Sequence, residues 1–240
     1  MTKNRLDQEL FKRKLVTSRS QAESYIRIGK VSVGGRVIMK PGYFVSSNSE
    51  ILLAQEEQYV SRAGMKLASV AGKFGLDFTN KIILDIGSST GGFTDYALRH
   101  GARKVFCVDV GTDQLHRSLR GNPKIELYEK TDIRDFRLEN KPNIILIDVS
   151  FISIREILPH VAQYLANKDT QIVAMIKPQF ETGSKVKNAG VIKNDTERRK
   201  VFKDFEAWAK KLFIIEQKVD SDVAGTRGNL ERFFLMKKTS

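Results

Sequence analysis

The chain has 240 residues, 41% of them hydrophobic, and its 41 Lys and Arg against 28 Asp and Glu give a net charge of +13. That suits one large domain, or a medium one with a small companion, around a real core, and the charge points to a polyanion, RNA or DNA before an anionic membrane, with a merely solubilising surface as the plain alternative. No run nears the roughly 18 apolar residues of a membrane span, no signal-peptide pattern opens the chain, and a lone cysteine, Cys107, allows no internal disulfide or cysteine metal site, so the expected compartment is the cytoplasm and stable membrane insertion is not expected.

Residues 5–53 carry the pattern of a small α+β unit. Leu6, Leu10, Phe11 and Leu15 recur at helical spacing, and Ser18 or Ser20 can cap a second helix whose Ala22, Tyr25 and Ile26 face inward. Residues 31–33, a turn at Gly34-Gly35 and a return over 36–38 make a short hairpin; Pro41-Gly42 is another turn and 51–53 a last strand. Residues 1–40 hold ten Lys or Arg and three acids, Asp7, Glu9 and Glu23, so more than half of the net charge sits in the first sixth of the chain. Arg5, Lys12, Arg13, Arg19 and Arg27, with Lys30 just after, offer a basic face to an RNA backbone. A solvated charged face is the alternative.

Residues 55–58, Gln-Glu-Glu-Gln, read as a linker between domains at 1–54 and 59–240. The second unit opens with a helix carrying Met65, Leu67, Ala68, Ala71 and Phe74, then seven strands at 82–86, 105–110, 125–128, 144–148, 172–176, 213–219 and 232–236. They are mostly fully apolar and mostly separated by helical patterns. That predicts a Rossmann-like α/β sheet, parallel and covered on both faces, with the last strand antiparallel because no long helix precedes it. Cys107, in the second of these strands, is most simply a core residue. His100, His116 and His160 have no metal-ligand spacing, and no metal site is expected.

The second unit is organised around Lys-Ile-Ile-Leu-Asp-Ile-Gly-Ser-Ser-Thr-Gly-Gly-Phe-Thr at 81–94: a buried strand ending in Asp85, a glycine turn, and a helix start. Glycines at Gly87, Gly91 and Gly92 permit close backbone approach to a ligand, and free N–H groups of the helix start suit acidic groups. The spacing is neither the dinucleotide pattern nor a phosphate-binding loop, whose lysine is missing. It resembles motif I of S-adenosylmethionine methyltransferases, with Ser88 and Phe93 completing the candidate loop. In such sheets ligands lie beyond the carboxyl ends of the strands. Asp109, about twenty residues after the turn, can accept both ribose hydroxyls of an adenosyl group; Asp132 can bond the adenine edge, with Asp135 as rival. Asp85 would orient the methionine part. A strand-end turn explains Asp109 equally simply, and capping explains Asp132 and Asp135.

Lys66, Asp148, Lys177 and Glu231 each stand where an α/β sheet points its functional groups. Singly each has a dull explanation: a surface lysine for Lys66, a strand stop for Lys177-Pro178. Together their order resembles the Lys-Asp-Lys-Glu tetrad of FtsJ-like RNA ribose 2′-O-methyltransferases. A ribose hydroxyl is a poor nucleophile at neutral pH. A lysine held neutral could take its proton, or a charged lysine could stabilise the alkoxide; Lys177 is the candidate, Asp148 and Glu231 orienting the two lysines. Base N-methylation often uses Asp-Pro-Pro-Tyr or Asn-Pro-Pro-Tyr, where this chain has Asp148-Val-Ser-Phe151, and cytosine C5 methylation needs a cysteine that Cys107 is misplaced to supply.

The first unit, from Arg5-Leu-Asp through Ser18-Arg-Ser, Val31-Ser-Val-Gly-Gly and Lys40-Pro-Gly, resembles the small RNA-binding domain of the ribosomal-protein S-four type. With Tyr59-Val-Ser-Arg-Ala-Gly-Met-Lys-Leu, Asp148-Val-Ser-Phe-Ile-Ser, Ile176-Lys-Pro-Gln-Phe-Glu and Gly228-Asn-Leu-Glu-Arg-Phe-Phe, the whole chain resembles the TlyA family. That resemblance implies S-adenosylmethionine as cofactor, ribosomal RNA or ribosomal subunits as partner, and 2′-O-methylation of cytidine; the length resembles the family's short form, associated with large-subunit RNA. Relatives also bear the name haemolysin, so a lytic activity is weighed, as is a non-catalytic ribosome-assembly binder. No membrane-length or interfacial amphipathic stretch supports lysis.

Overall fold

The computed structural model describes residues 3–16, 18–54, 59–182, 192, 194–223 and 229–239. The chain divides into two units, Met1–Gln58 and Tyr59–Ser240; the expected linker at 55–58 lies outside the described residues.

The first unit runs β1 (Lys3–Arg5), α1 (Leu6–Lys12), α2 (Arg19–Arg27), β2 (Val31–Val33), β3 (Arg36–Val37), β4 (Phe44–Ser46) and β5 (Ile51–Leu53). The hairpin forms as its Gly-Gly turn predicts, and β5 joins it in the order β3-β2-β5. Ser18, rather than Ser20, caps α2: its Oγ accepts the Gln21 N–H at 3.1 Å. Two features differ from the pattern. Leu15 lies beyond α1, because Lys14 turns left-handed at φ 57°, and Leu15 N–H to Leu10 O and Lys14 N–H to Phe11 O, both 3.0 Å, close the helix end. β1 pairs antiparallel with β4; its three polar residues have no alternation that could reveal a strand.

The second unit runs α3 (Arg62–Ala71), β6 (Ile82–Ile86), α4 (Gly92–Arg99), β7 (Lys104–Val108), β8 (Ile125–Tyr128), β9 (Ile144–Ile147), α5 (Leu158–His160, continued by the π-helical turn Val161–Leu165), β10 (Gln171–Ile176), α6 (Asp195–Ala209), β11 (Phe213–Asp220) and β12 (Arg232–Lys238). The seven strands form one sheet, β11-β12-β10-β9-β6-β7-β8. β12 is antiparallel to both neighbours, while β10, β9, β6, β7 and β8 pair in parallel. The central strands are apolar because both faces are covered: all of β9 is buried, and Leu84, Ile86, Ile145, Ile172 and Phe234 share a core with Phe202 and Phe205 of α6.

The helical connections are fewer than the pattern suggests. Between β7 and β8 there is none among the described elements, and between β8 and β9 only a 3-10 turn, Ile133–Asp135. Leu115 and Leu119 have helical spacing, but both are buried in irregular chain against the turn at Gly91. β7 and β9 stop at Val108 and Ile147, so Asp109 and Asp148 stand one residue past their strands. The chain leaves β6 for β7 and β8 on one side, then crosses to β9 and β10 on the other. The direction reverses at β6 and β9, where a crevice opens at the carboxyl ends of the strands.

Candidate active site

Five strand ends converge on that crevice. Asp85 is the fourth residue of β6, Asp109 follows β7, Asp148 follows β9 and Lys177 follows β10. Glu231 precedes β12, and because β12 is antiparallel its beginning lies at the same edge; Arg232 pairs in register with Ile176. α3 brings Lys66 to the opening. Lys66 Nζ lies 2.5 Å from Glu231 Oε2, and Lys177 Nζ lies 2.5 Å from Asp148 Oδ1. Lys177 also donates to Ser150 Oγ at 2.7 Å. The first pair is the more buried, at 9% and 3% side-chain exposure against 11% and 15%. Lys66, Asp148 and Lys177 line one cleft of about 290 Å³ with Asp85, Gly87, Ser88 and Phe93. The four residues picked out by order in the chain are therefore two ion pairs at one edge, three of them facing one space.

Asp85 is 1% exposed. Its Oδ2 accepts the Thr94 N–H at 3.0 Å and the Thr94 hydroxyl at 2.6 Å, while Oδ1 is buried with no hydrogen-bond partner and belongs to the cleft lining. Burial pushes this carboxyl up to about 7, against the Thr94 bonds and with the help of the Asp148 and Asp109 charges. The hydroxyls of Ser61 and Ser88, in the same cleft, likewise lack a partner. A buried acceptor and two hydroxyls without partners, on residues that line one cleft, are groups that can take a polar ligand.

A second cleft, about 300 Å³, shares Gly87, Ser89, Asp148 and Ser150 with the first and extends past Asp109, Asp132 and Ile133 to Phe151. Asp109 is fixed there by backbone donors: Oδ1 accepts the Gly111 N–H at 2.7 Å and Oδ2 the Ser89 N–H at 2.8 Å. Each oxygen keeps a lone pair for a hydroxyl. Asp132 lines the cleft but also caps the 3-10 turn, accepting the Arg134 N–H at 2.9 Å, and the Arg134 guanidinium holds its carboxyl below the ordinary value. Asp135 is exposed and is not in the lining.

Gly87 has φ 76°, and a β-carbon there would stand 2.6 Å from the Asp148 carbonyl, so the turn requires glycine. Gly91 and Gly92 line neither cleft. A β-carbon on Gly92 would sit 2.2 Å from Ser61 Oγ and 2.8 Å from Gly64 N, so this residue lets α4 approach α3. Cys107 is buried beside Thr94 and Asp85, and burial first, then Asp85, drives its thiol up, away from nucleophilic use.

The basic residues of the first unit divide. Arg13 is committed to the fold: it donates to Glu9 Oε1 at 2.9 Å and to the carbonyls of Ser49 and Ser47 at 2.9 and 2.8 Å. Arg5 and Arg19 both bond buried Asp7 yet keep 42% and 50% of their side chains exposed. Lys12 and Arg27 are exposed and Lys30 half-buried.

Sequence reasoning gave no role to Ser61, Ser150, Phe151 or Glu181, although all lie within the quoted stretches. Phe151 is 89% exposed at φ 68° on the cleft rim, its ring 5.5 Å from that of Phe180. A phenylalanine left exposed in a strained turn was the one available signal, and it needs coordinates to be read.

A family model described as FtsJ-like methyltransferase matches residues 59–239, and one described as S4 domain matches residues 4–51. The chain belongs to the TlyA family of FtsJ-like methyltransferases. Among the relatives, a protein of Brachyspira hyodysenteriae named Hemolysin A is 37% identical over 95% of this chain and 97% of its own. A protein of Campylobacter jejuni named 23S rRNA (cytidine-2′-O)-methyltransferase TlyA is 44% identical over 74% of this chain and 70% of its own. A solved structure described as a hemolysin from Streptococcus thermophilus covers 100% of this chain and 90% of its own at 36% identity and TM-score 0.72.

Proposed function

We propose that this chain transfers a methyl group from S-adenosylmethionine to the ribose 2′-hydroxyl of cytidine in ribosomal RNA, in the cytoplasm, with large-subunit RNA as the substrate. The observation that carries the reading is the pair of lysine–carboxylate bridges, Lys66–Glu231 and Lys177–Asp148, beside the open oxygen of buried Asp85. The donor fits these residues. Its ammonium would complete Asp85 Oδ1, its carboxylate the Ser61 and Ser88 hydroxyls, and its ribose the Asp109 oxygens; Asp132 and Ile133 would flank the base. When bound, it supplies an electrophilic methyl on sulfonium. The chain's own residues act on the acceptor. Lys177, held by Asp148 and Ser150, removes the hydroxyl proton or stabilises the alkoxide; Lys66, held by Glu231, steadies the same hydroxyl or its phosphate. Phe151 gives the rim an exposed ring on which a base can stack. For the substrate, the reading leans on the S4-domain match, on the basic first unit and on the name of the Campylobacter relative.

The hemolysin names favour a lytic reading, but among the described residues no helix is long and apolar enough to cross a membrane, and lysis leaves the two bridges without a use. The test is incubation of deproteinised ribosomal RNA and isolated subunits with labelled donor, followed by nucleoside analysis. Label in 2′-O-methylcytidine of the large-subunit RNA is the expected result. Label on a base, or none on any RNA, overturns the proposal; label in small-subunit RNA alone corrects the target.

A further inference from the structure

The side chain of Glu181 is buried, 2% exposed, and the chemistry above gives it nothing to do. It stands four residues after Lys177, just past the 3-10 turn Pro178–Phe180. Its two oxygens reach across to the segment that follows β9. Oε1 accepts the Ile154 N–H at 2.8 Å, and Oε2 accepts the Ser153 hydroxyl at 2.7 Å. That hydroxyl is used a second time, accepting the Arg155 N–H at 3.2 Å. Arg155 Nε lies 3.6 Å from Oε2, and the Arg155 guanidinium rests 5.6 Å from the Trp208 ring of α6. Burial raises the Glu181 carboxyl; the Ser153 and Ile154 bonds and Arg155 oppose it.

The two segments joined here also carry the candidate chemistry. One bears Asp148, Ser150 and Phe151, the other Lys177 and Phe180. Lys177 forms an ion pair with Asp148 and donates to Ser150 Oγ, and Phe151 meets Phe180. The seam thus has three fastenings, an ion pair at the crevice, an aromatic contact in the middle and a buried carboxylate at the far end. A buried carboxylate is a costly fastening where apolar packing would serve. What it adds is direction: two hydrogen bonds set the height and register of one loop against the other, which dispersion contacts do not.

We propose that Glu181 is a positioning residue for methyl transfer, clamping the segment after β10 to the segment after β9 so that Lys177 stays in register with Asp148 and Ser150. The proposal rests on the reading of Lys177 given above. It is tested with Glu181→Ala, Glu181→Gln and Ser153→Ala, each alone and with Lys177→Ala. Three quantities are read: the single-turnover rate on ribosomal RNA, the affinity for S-adenosylmethionine, and the labelling of Lys177 by a trace of acetic anhydride in the free protein, against exposed Lys12.

Glu181→Ala is expected to slow transfer by ~10–100-fold, as displacement of a positioned group by an ångström does, with donor affinity unchanged. Lys177 labelling should change by about threefold or more as its fixed partners loosen. Glu181→Gln, which can still accept from Ile154 and bond Ser153, should keep most of the rate. Ser153→Ala removes one of the two ties, should fall between them, and carries the test if alanine at 181 fails to fold. Paired with Lys177→Ala, none should slow transfer further, since both act through one group. Wild-type rate with unchanged Lys177 labelling overturns the proposal, as do losses that multiply with Lys177→Ala. If the unaltered protein methylates no RNA while Lys177 labelling still depends on Glu181, the function reading fails and the clamp stands.

Discussion

Asp7 and Asp85 are both buried aspartates, at 0% and 1% exposure, one in each unit, and they are buried for different ends. In the first unit both oxygens of Asp7 are taken, Oδ1 by Arg5 and Oδ2 by Arg5 and Arg19. Glu9 is filled in the same way by Arg13 and Asn4. Burial pushes Asp7 up, but the Arg5 and Arg19 bonds outweigh it and hold the carboxyl below its ordinary value. Asp85 has one oxygen filled by Thr94 and one facing the cleft with nothing on it, and its carboxyl is pushed up to about 7. A buried charge whose valences are all met is architecture. One with a valence left toward a space weakens the fold where it stands, and such a cost marks a candidate ligand site.

That contrast can be broken in four ways. The largest effect is expected at the crevice. Lys177→Ala should slow single-turnover transfer by ~10²–10⁴-fold with donor and RNA affinity nearly unchanged. Lys66→Ala and Asp148→Ala should resemble it, and the double variants should fall far short of additivity. Arginine at 177 separates the two roles: it cannot accept a proton, so its failure favours a base and its rescue an alkoxide stabiliser. A wild-type rate for Lys177→Ala would sink the tetrad and the ribose acceptor with it.

The second way compares neighbours at the end of α1, Lys12 its last residue and Arg13 the one after. Arg13→Ala leaves Glu9 buried without its main partner, and chemical unfolding should show a loss of roughly 3 kcal/mol. Lys12→Ala should leave stability within about 0.5 kcal/mol but lower the log–log salt slope of RNA binding by roughly 0.7–0.9. If the two variants trade places, the division of the basic residues into fold and RNA groups is wrong.

Third, Asp85→Asn should weaken donor binding by about 10–100-fold in calorimetry, the loss of one charge-assisted bond, and yet stabilise the protein. The sign follows from the direction of the shift. The folded value lies above the unfolded one, so the cost of ionising Asp85 is absent in acid, grows as pH rises through the ordinary carboxylate range to about 7, and is constant beyond. The gain should therefore appear in thermal unfolding at neutral pH and above and vanish in acid. A variant that loses stability at pH 8, or that binds the donor as before, would place Asp85 with the structural acids.

The smallest effect tests the other half of the contrast. Asp7→Asn should lower stability by about 1 kcal/mol with no change in donor binding. Its folded value is depressed, so the Asp7 contribution is full above the ordinary carboxylate range and fades as pH falls through the folded value. Both variants should converge with the parent in acid; what separates them is the sign at neutral pH and above, a loss for Asp7→Asn and a gain for Asp85→Asn.

The chain itself determined the elements whose residues act on their own neighbours. The strand 82–86 and its glycine turn were legible because an apolar run, a short acid and small residues are all local. The hairpin at 31–37 followed from Gly34-Gly35, and the reversal of β12 from the want of a long helix before it. Four candidate residues could be picked out because their order resembles the Lys-Asp-Lys-Glu tetrad. Sequence could not pair them. Lys66 meets Glu231 across 165 residues because an antiparallel strand returns to the edge where α3 begins, and only the sheet order sets that. Nor could it separate Arg13 from Lys12, adjacent in sequence and alike in charge; which one faces the carbonyls of Ser47 and Ser49 depends on where β4 and its following turn come to lie. Gly92 has the same reason behind it. In the chain it belongs to a glycine-rich loop, while in the fold its missing β-carbon is the space that α3 occupies. Local chemistry fixed which groups are present, and chain crossings that bring distant residues within van der Waals reach decided which of them are spent on the fold and which remain open to a ligand.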